Sequence, residues 1–297
     1  MKIHKILILT FSVIGTFGCT KDESEDVFSQ LDDYRLLKVL NYNNSSDSEL
    51  STFMDLKYAE DGNLQRESLY DYPKTLFTFR EFDYEINLLV EKRIFDGQVG
   101  NLRLGSYIKY EYSQGNLVEE ALYSADGTLT RTDYYEYEGD NLVNTFKLDD
   151  EFGIHHQSKY TYNSLNLLIR EERFMYDQEL EGYTIYDHDD NLRLIKTAIF
   201  NFDETILQTS EHKYTGNSTL PSEEFYYDAA GELTQHFKLI YDDFKNLTET
   251  KVITSQGTNT LFKKKFNGEL LIEHIRYAPT WGYTEWTVTR YEYEKIK

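Results

Sequence analysis

Apolar and polar positions alternate with a period of two along most of the chain, which is typical of strands that bury one face. Leu142, Phe146 and Leu148, for example, share one parity, and polar residues occupy much of the other. After the first 33 residues no stretch shows a sustained apolar period of 3.6 residues with helix caps. The pattern predicts about 19 short strands, the first at Tyr34 to Tyr42 and the second at about Leu50 to Tyr58.

A repeat of 25 residues organises the centre of the chain. The pair Asn-Leu recurs at steps of 25 residues, and two tyrosines two positions apart precede its first three copies. Residues two apart on a strand share a face, and the Gly, Asn and Asp residues near each pair favour tight turns. The unit is therefore a β-hairpin, and about nine hairpins follow one another. The pairs are Asn116-Leu117, Asn141-Leu142, Asn166-Leu167 and Asn191-Leu192; the tyrosines are Tyr110, Tyr112, Tyr135, Tyr137, Tyr160 and Tyr162.

These hairpins predict an all-β fold in which residues 34–297 form a single array. Laid flat, the strands would make a sheet roughly 90 Å wide, and sheets of that width curl because strand twist accumulates. We therefore expect a long, curved or spiralling antiparallel sheet whose last strands present an edge. Its concave face would bury the leucine and tyrosine ladders.

The N-terminal residues predict where in the cell the protein is located. Two lysines precede an apolar run too short to cross a bilayer, so residues 1–18 are typical of a signal peptide. The run ends at Cys19, the single cysteine of the chain, where a lipoprotein signal box places its lipidated cysteine. Residues 19–33 are predicted to form an acidic flexible tether. Its sequence resembles the surface-export tag of some bacterial lipoproteins. We expect a lipid anchor at Cys19 in the bacterial outer membrane, with the array at the cell surface.

The amino-acid composition and net charge argue against some classes of binding partner. The formal net charge is −21, and −23 without residues 1–18, so the surface repels nucleic acid. The 26 tyrosines, 18 phenylalanines and 3 prolines favour strands over linkers. The oligomeric state is left open.

Several segments resemble tyrosine-aspartate repeats, also called YD or Rhs repeats. Tyr227-Asp228 with Gly231 and Leu233 fits their consensus, and similar segments cover about residues 55–277. The resemblance implies antiparallel sheets that spiral, and in large members a shell around a toxin domain. We do not expect the toxin-enclosing role here, because the repeat pattern continues into the last strand of the sequence. Glycine-rich MORN-type hairpin repeats are a competing resemblance, weakened by the 16 glycines of this chain.

Catalytic and metal-binding patterns are missing from the sequence. It contains no GxSxG, HExxH, GxGxxG or P-loop pattern, and no second cysteine. His155 and His156 would point to opposite faces of a strand, and the acidic cluster around Asp189 is better explained by turn formation than by calcium. We therefore expect no enzyme activity, no cofactor and no metal; a hydrolase using scattered carboxylates is the weakest alternative.

Aromatic side chains are the candidate binding residues. The six tyrosines named above either pack as cross-strand contacts or form a platform for sugar rings. Trp281 and Trp286 interrupt the repeat and add two candidates. The leading hypothesis is a lipid-anchored binding or scaffold module of the cell envelope, with protein or glycan as ligand. A glycan-binding surface lipoprotein that uses tyrosine-rich faces is the alternative.

Overall fold

The computed structural model describes residues 34–43, 50–149, 153–175, 178–278, 282 and 284–296. The predicted signal peptide, Cys19, the tether and Trp281 lie outside these residues. No helix among the described residues is long and apolar enough to cross a membrane.

Twenty antiparallel strands make up the described chain. They are β1 (Tyr34–Tyr42), β2 (Leu50–Tyr58), β3 (Leu64–Asp71), β4 (Thr75–Glu85), β5 (Leu88–Gln98), β6 (Asn101–Ser113), β7 (Asn116–Ser124), β8 (Leu129–Glu138), β9 (Asn141–Asp149), β10 (Gly153–Tyr162), β11 (Leu168–Met175), β12 (Glu179–His188), β13 (Leu194–Asn201), β14 (Ile206–Tyr214), β15 (Pro221–Asp228), β16 (Leu233–Tyr241), β17 (Leu247–Thr254), β18 (Gly257–Asn267), β19 (Leu270–Ala278) and β20 (Thr284–Lys295).

The sheet closes on itself. Each strand pairs with the next, and β1 also pairs with β20, so that Asn41 lies opposite Thr52 on one side and Thr289 on the other. The predicted spiralling array of about nine hairpins, with an edge at its last strands, is therefore wrong. Closure gives hydrogen-bond partners to the backbone groups that two free edges would leave exposed. The charges of the last strand make ion pairs across its two ladders: Arg290 with Glu273 at 3.0 Å, and Glu294 with Arg35.

The strand register separates an inner from an outer face. Tyr110 and Tyr135 lie on one face, and Lys109 and Tyr123 lie on the other. On the tyrosine face, interactions reach strands two apart: Glu120 of β7 is affected by the positive charges of β5 and β9. Side chains converge on the concave side of a curved sheet, so this face is the inner one. Exposed residues of the other face form the outer wall and include Lys109, Lys159, Lys213 and Lys238.

The barrel wall is one sheet thick around a lumen. Twenty strands spaced about 4.8 Å apart give a ring roughly 30 Å across, which is too wide for side chains to fill. Consistently, none of the described side chains is completely buried. The hydrogen bonds, ion pairs and ring contacts identified among the described residues join neighbouring strands or strands two apart. The tyrosine and leucine ladders of the concave face therefore line the lumen instead of filling a core.

Seven hairpins share one turn geometry, which explains the recurring Asp and Asn residues. The amide of the first turn residue donates to the carbonyl four residues later, and the fourth residue has a positive φ. In three of the turns an aspartate comes first, and its carboxylate accepts two further amides; Asp242 accepts those of Phe244 and Asn246 at 3.0 and 2.9 Å. The first residues of the seven turns are Ala59, Ser124, Asn163, Asp189, Asn201, Asp228 and Asp242.

Polar side chains join successive turns at the rim where the chain enters β1 and leaves β20, which we call the terminal rim. Asn141 donates to Asn166 of the next turn along this rim. Arg193 donates to the carbonyls of Gly216 and Ser218 at 3.1 and 3.0 Å. The asparagines of the repeat thus help to connect neighbouring turns at the rim.

The last of the four Asn-Leu pairs is shifted by one position relative to Asn166-Leu167, the pair before it. Leu192 has a φ of 63° and takes the turn position that Asn166 takes in the earlier repeat. Arg193, one residue later, is therefore the equivalent of Leu167. A side chain with no stabilising role at this φ costs the folded state about 1 kcal/mol relative to glycine.

We expect Leu192→Gly to raise the free energy of unfolding by about 1 kcal/mol, because glycine adopts a positive φ without strain. Leu192 is 43% exposed, so little packing is lost. Urea denaturation followed by circular dichroism measures the change. Leu192→Ala, which trims the side chain but keeps the strain, should leave stability nearly unchanged. A less stable glycine variant would mean that the leucine side chain contributes to folding.

Candidate ligand-binding surface inside the barrel

All six tyrosines proposed from the sequence lie on the inner face, in the half of the barrel next to the terminal rim. The register places Tyr110 opposite Glu120, Tyr135 opposite Thr145 and Tyr160 opposite Glu171. The structure thus brings these tyrosines onto one curved wall, where they are partly exposed to the lumen. Their use as a ligand platform stays a prediction.

Trp286 is not part of this wall. It lies in β20 at the opposite end of the barrel from the terminal rim and is 48% exposed. The structure therefore does not bring it together with the six tyrosines.

Four glutamates stand among the tyrosines at equal intervals from β3 to β15. Glu67, Glu120, Glu171 and Glu224 occupy inner positions of β3, β7, β11 and β15, one on every fourth strand. Tyrosines of the same or nearby strands surround each carboxylate. We call these groups the tyrosine-carboxylate clusters: Glu67 with Tyr58 and Tyr84; Glu120 with Tyr110, Tyr112 and Tyr135; Glu171 with Tyr160 and Tyr186; Glu224 with Tyr214, Tyr226 and Tyr241.

Direct hydrogen bonds hold several of these groups. The Tyr186 hydroxyl donates to Glu171 at 3.0 Å, and the Tyr226 hydroxyl donates to Glu224 at 3.2 Å. Arg80 Nη1 donates to Glu67 at 3.0 Å and neutralises that carboxylate. The clusters are preorganised, because their side chains are fixed by neighbours before any ligand arrives.

Four tyrosines of the clusters have a raised pKa and stay protonated at neutral pH. Burial, and then the nearby carboxylates, raise the pKa of Tyr226 and Tyr241 to about 12. The same two causes, in the same order, raise the pKa of Tyr110 and Tyr135. Each cluster therefore offers hydroxyl donors, carboxylate acceptors and flat apolar rings on one surface.

Some tyrosines near the terminal rim have a structural task as well. The hydroxyl of Tyr162 donates to the carbonyl of Leu142 at 2.9 Å, and Tyr214 reaches Leu194 in the same way at 2.7 Å. Tyr293 repeats the contact with Leu271 at 2.9 Å. Each bond satisfies a carbonyl at the beginning of the preceding strand, where a bulge disturbs the ladder. Tyr162 is thus less free to serve a ligand than Tyr110 or Tyr135.

Glu120 and Asp133 form a pair of carboxylates on the inner wall. They are direct partners on β7 and β8, and Asp133 is 6% exposed with Arg131 at 3.0 Å. Burial and the charge of Asp133 raise the pKa of Glu120, while Arg131 and two lysines oppose the shift. Like charges held together at a partly buried site cost the folded state free energy.

We expect Glu120→Gln to raise the thermal unfolding midpoint at pH 7. The pKa of Glu120 is higher in the folded chain than its ordinary value of 4.5, so its ionised form destabilises the fold above that folded pKa. The advantage of the glutamine should disappear as pH falls through the folded pKa towards 4.5. Differential scanning calorimetry at several pH values measures it.

Glu292→Gln is the control, because it removes the same charge from an exposed position of the outer wall. It should not show the same pH-dependent gain. An advantage of Glu120→Gln that stays constant from pH 7 to acidic pH would contradict the assignment.

Metal ligands are not assembled in the described ranges. No group of three or more His, Cys, Asp or Glu side chains there is placed to hold an ion. Asp189, central to the acidic cluster of the sequence, accepts amides from Asn191 and Arg193 and a side-chain bond from Arg193 at 2.8 Å. These bonds lower the pKa of Asp189 and account for its position in the turn.

The outer wall carries a second set of aromatic residues. Phe53 stacks on Tyr70 with ring centroids 4.7 Å apart, and Tyr107 stacks on Tyr123 at 4.9 Å. Cations cover several of these rings; Arg66 lies 3.8 Å from the ring centre of Phe79. These pairs cannot be recognised in the sequence, because their members belong to different hairpin strands and become neighbours only through the register.

Comparison with known proteins leaves the family open. No family profile matches the chain, and no characterised protein is significantly similar, so the resemblance to YD repeats stays a prediction. Among solved structures, a porin-like protein from Bacteroides uniformis is 12% identical over 87% of this chain and 98% of its own, with a TM-score of 0.37. TcdB2-TccC3 is 13% identical over 82% of this chain and 18% of its own, with a TM-score of 0.33. A porin-like protein from Bacteroides vulgatus is 12% identical over 88% of this chain and 99% of its own, with a TM-score of 0.22.

Proposed function

We propose that this protein is a lipid-anchored, non-enzymatic binding module of the bacterial outer membrane, and that glycan chains bind inside its barrel. The observation that carries the proposal is the inner wall of tyrosine-carboxylate clusters. Sugars present apolar ring faces edged by hydroxyl groups. The aromatic rings, hydroxyl donors and carboxylate acceptors of the clusters match these features.

The lumen, rather than a closed pocket, suits a polymer. A ring roughly 30 Å across admits an extended chain, and clusters on every fourth strand offer several contacts at once. Each contact need only be weak, since linked contacts add to the overall affinity.

The outer wall favours an aqueous setting for the barrel itself. Lys109, Lys159 and Lys238 project outward from positions inside their strands, where a barrel embedded in lipid carries an apolar band about 25 Å tall. Charged side chains at that depth are costly in a bilayer. Membrane attachment is therefore assigned to the lipid at Cys19 and not to the barrel wall.

The direction of attachment follows from the terminal rim. β1 begins there at Tyr34, and a tether of residues 19–33 spans at most about 50 Å when extended. The terminal rim, with its nearby tyrosines, then faces the membrane. Cys19→Ala should abolish palmitate labelling and release the protein from the membrane fraction; retention of label would place the lipid elsewhere.

Binding is tested with paired substitutions on opposite faces of the wall. Residues 20–297 are screened on a glycan array, and hits are titrated by calorimetry. Tyr110→Leu with Tyr135→Leu, on the inner face, should weaken binding about 100-fold, because two central aromatic contacts are lost. Tyr107→Leu with Tyr123→Leu, on the outer face of the same part of the barrel, should keep wild-type affinity.

Circular dichroism of both variants establishes that they are folded at the temperature of the titration. A wild-type protein without any glycan hit would contradict the proposal. Equal loss in the two variants would place the binding surface elsewhere.

A further inference from the structure

Charge is distributed unequally around the inner wall. The four glutamates of the clusters lie between β3 and β15. From β16 through β20 to β1 and β2, the inner positions fixed by the register carry no Asp or Glu in the described residues. The charged inner side chains of this sector are Lys264, Arg276 and, at the terminal rim, Lys295, whereas the whole chain has a net charge of −21.

Three basic residues of this sector lie together. Lys264 of β18 is the direct partner of His274 of β19, and Arg276 lies two residues further along the same face, opposite Phe262. The ring of Phe262 contacts the His274 imidazole edge-on at 5.5 Å, and the Lys264 ammonium lies 5.2 Å from the ring centre of Phe262. Phe262 therefore holds the basic groups in place while leaving their charge unneutralised.

The surroundings of the three residues are neutral. Thr250 of β17 is the direct partner of Phe262, and Thr287 and Thr289 of β20 are the direct partners of Arg276 and His274. Inner cations of the opposite sector lie near carboxylates: Arg80 pairs with Glu67 at 3.0 Å, and the charges of Lys92 and Lys147 lower the pKa of Glu120. No ion pair of Lys264 or Arg276 is formed within the described chain.

Burial and the mutual repulsion of these groups support the same picture. Burial, and then the charge of Arg276, lower the pKa of Lys264. Burial and the two cations lower the pKa of His274 to about 4, so the imidazole is neutral at pH 7. Its Nε2 is buried without a hydrogen-bond partner among the described residues. Two unpaired positive charges and an unsatisfied ring nitrogen thus share one surface of the lumen.

We propose that Lys264, His274 and Arg276 bind an anionic substituent, a carboxylate or a sulfate group, on the glycan that enters the barrel. The inference rests on the proposed glycan-binding function and names the class of glycan. The planar guanidinium of Arg276 suits an oxyanion through two parallel hydrogen bonds, and Lys264 adds a second charge. Bound oxygen atoms would also supply a partner for the imidazole nitrogen.

The strand offers a matched control for a test. Lys263 and Lys265 flank Lys264 in sequence but lie on the outer face and are exposed. The inner variant carries Lys264→Gln and Arg276→Gln, and the outer variant carries Lys263→Gln and Lys265→Gln. Both lose two positive charges, so a difference between them reports position and not net charge.

Residues 20–297 are titrated with an oligogalacturonide, a sulfated galactan oligosaccharide and a neutral galactan oligosaccharide of equal length. The inner variant should bind the preferred anionic probe about 100-fold more weakly than wild type, since each charged contact is worth about tenfold. The outer variant should bind it like wild type, and the neutral probe should bind all three proteins alike. Comparing the two anionic probes decides between carboxylate and sulfate.

Inorganic sulfate separates failure of this inference from failure of the proposed function. It should raise the thermal midpoint of wild type and the outer variant more than that of the inner variant. If no glycan binds but this sulfate effect is present, the anion site stands and the glycan function fails. If anionic glycans bind the inner variant as tightly as wild type, or the outer variant loses as much, the inference is overturned.

Discussion

A protein carrying Asn41→Cys and Thr289→Cys will form an intramolecular disulfide under mild oxidation. The two residues are direct partners across the β1–β20 ladder, and the Thr289 hydroxyl donates to the Asn41 side chain at 2.9 Å. Cross-strand partners have the Cβ separation that a disulfide requires. Residues 20–297 are used, so Cys19 does not compete. Faster migration in non-reducing electrophoresis and loss of free thiols measure the bond.

This experiment separates a closed barrel from an open sheet. In an open array of twenty strands the same two residues would stand at opposite ends, roughly 90 Å apart along the sheet. Asn41→Cys with Thr250→Cys is the control, because both lie on the inner face but three strands separate β1 from β17. The control pair should keep both thiols free. Absence of the first disulfide, in a protein that folds, would contradict closure.

The closed form should also gain stability from the bond. The cross-link restricts most of the unfolded chain within one large loop, and the loss of unfolded-state entropy predicts stabilisation on the order of 5 kcal/mol. Urea denaturation with and without reductant measures the gain on the same protein. Geometric strain at the new bond would reduce that gain without removing the cross-link.

Local pattern located individual strands well. The predicted first and second strands, Tyr34 to Tyr42 and about Leu50 to Tyr58, are confirmed as β1 and β2. Alternation and turn residues act within a few neighbouring positions, so they are readable from sequence. Closure depends instead on twist and tilt summed over twenty strands, and no local signal in β1 or β20 encodes it.

Turn chemistry explains where the sequence repeat misleads. Asn191-Leu192 matches the 25-residue spacing, yet Leu192 occupies the turn and Arg193 begins the return to the ladder. The hairpins use several residue types at the position of positive φ, including Gly62, Asn166 and Lys245. A spacing rule based on one residue pair therefore slips by one position when the turn residue changes.

Part of the candidate site could be predicted from the sequence. The tyrosine doublets stood out by their period, but the face they occupy depends on register shifts at the bulges, which the sequence does not mark. The four cluster glutamates could not be singled out from the sequence, for a different reason. Their spacing of 51 to 53 residues equals two repeats, and four positions among 52 acidic residues carry no signal of their own. Lys264 and Arg276 became a pair only through the ladder between β18 and β19.

The outer aromatic pairs have a different role from the inner tyrosines, and stability measures it. Phe53 is 8% exposed although it lies on the outer wall, because Tyr70 stacks on it and Lys38 approaches its ring within 5.9 Å. A wall one sheet thick has no second layer to cover its rings. Neighbouring aromatics and the stems of Lys and Arg side chains provide the cover instead.

Phe53→Ala should therefore lower the free energy of unfolding by about 3–4 kcal/mol, as expected for removing a buried ring that the sheet cannot close over. Phe53→Leu keeps most of the volume and should cost less than about 1.5 kcal/mol. Phe202→Ala, at a turn where the ring is 62% exposed, should change stability little. Urea denaturation of the three variants measures these values.

Glycan affinity of the folded Phe53→Ala protein should match that of wild type, because the ring faces away from the lumen. A small stability loss together with weakened glycan binding would instead move the ligand surface to the outer wall. The two faces can be told apart in this way because each side chain of a one-sheet wall belongs to one face alone. Along one strand, substitutions at outward-facing positions should therefore lower stability, and substitutions at inward-facing positions should weaken glycan binding.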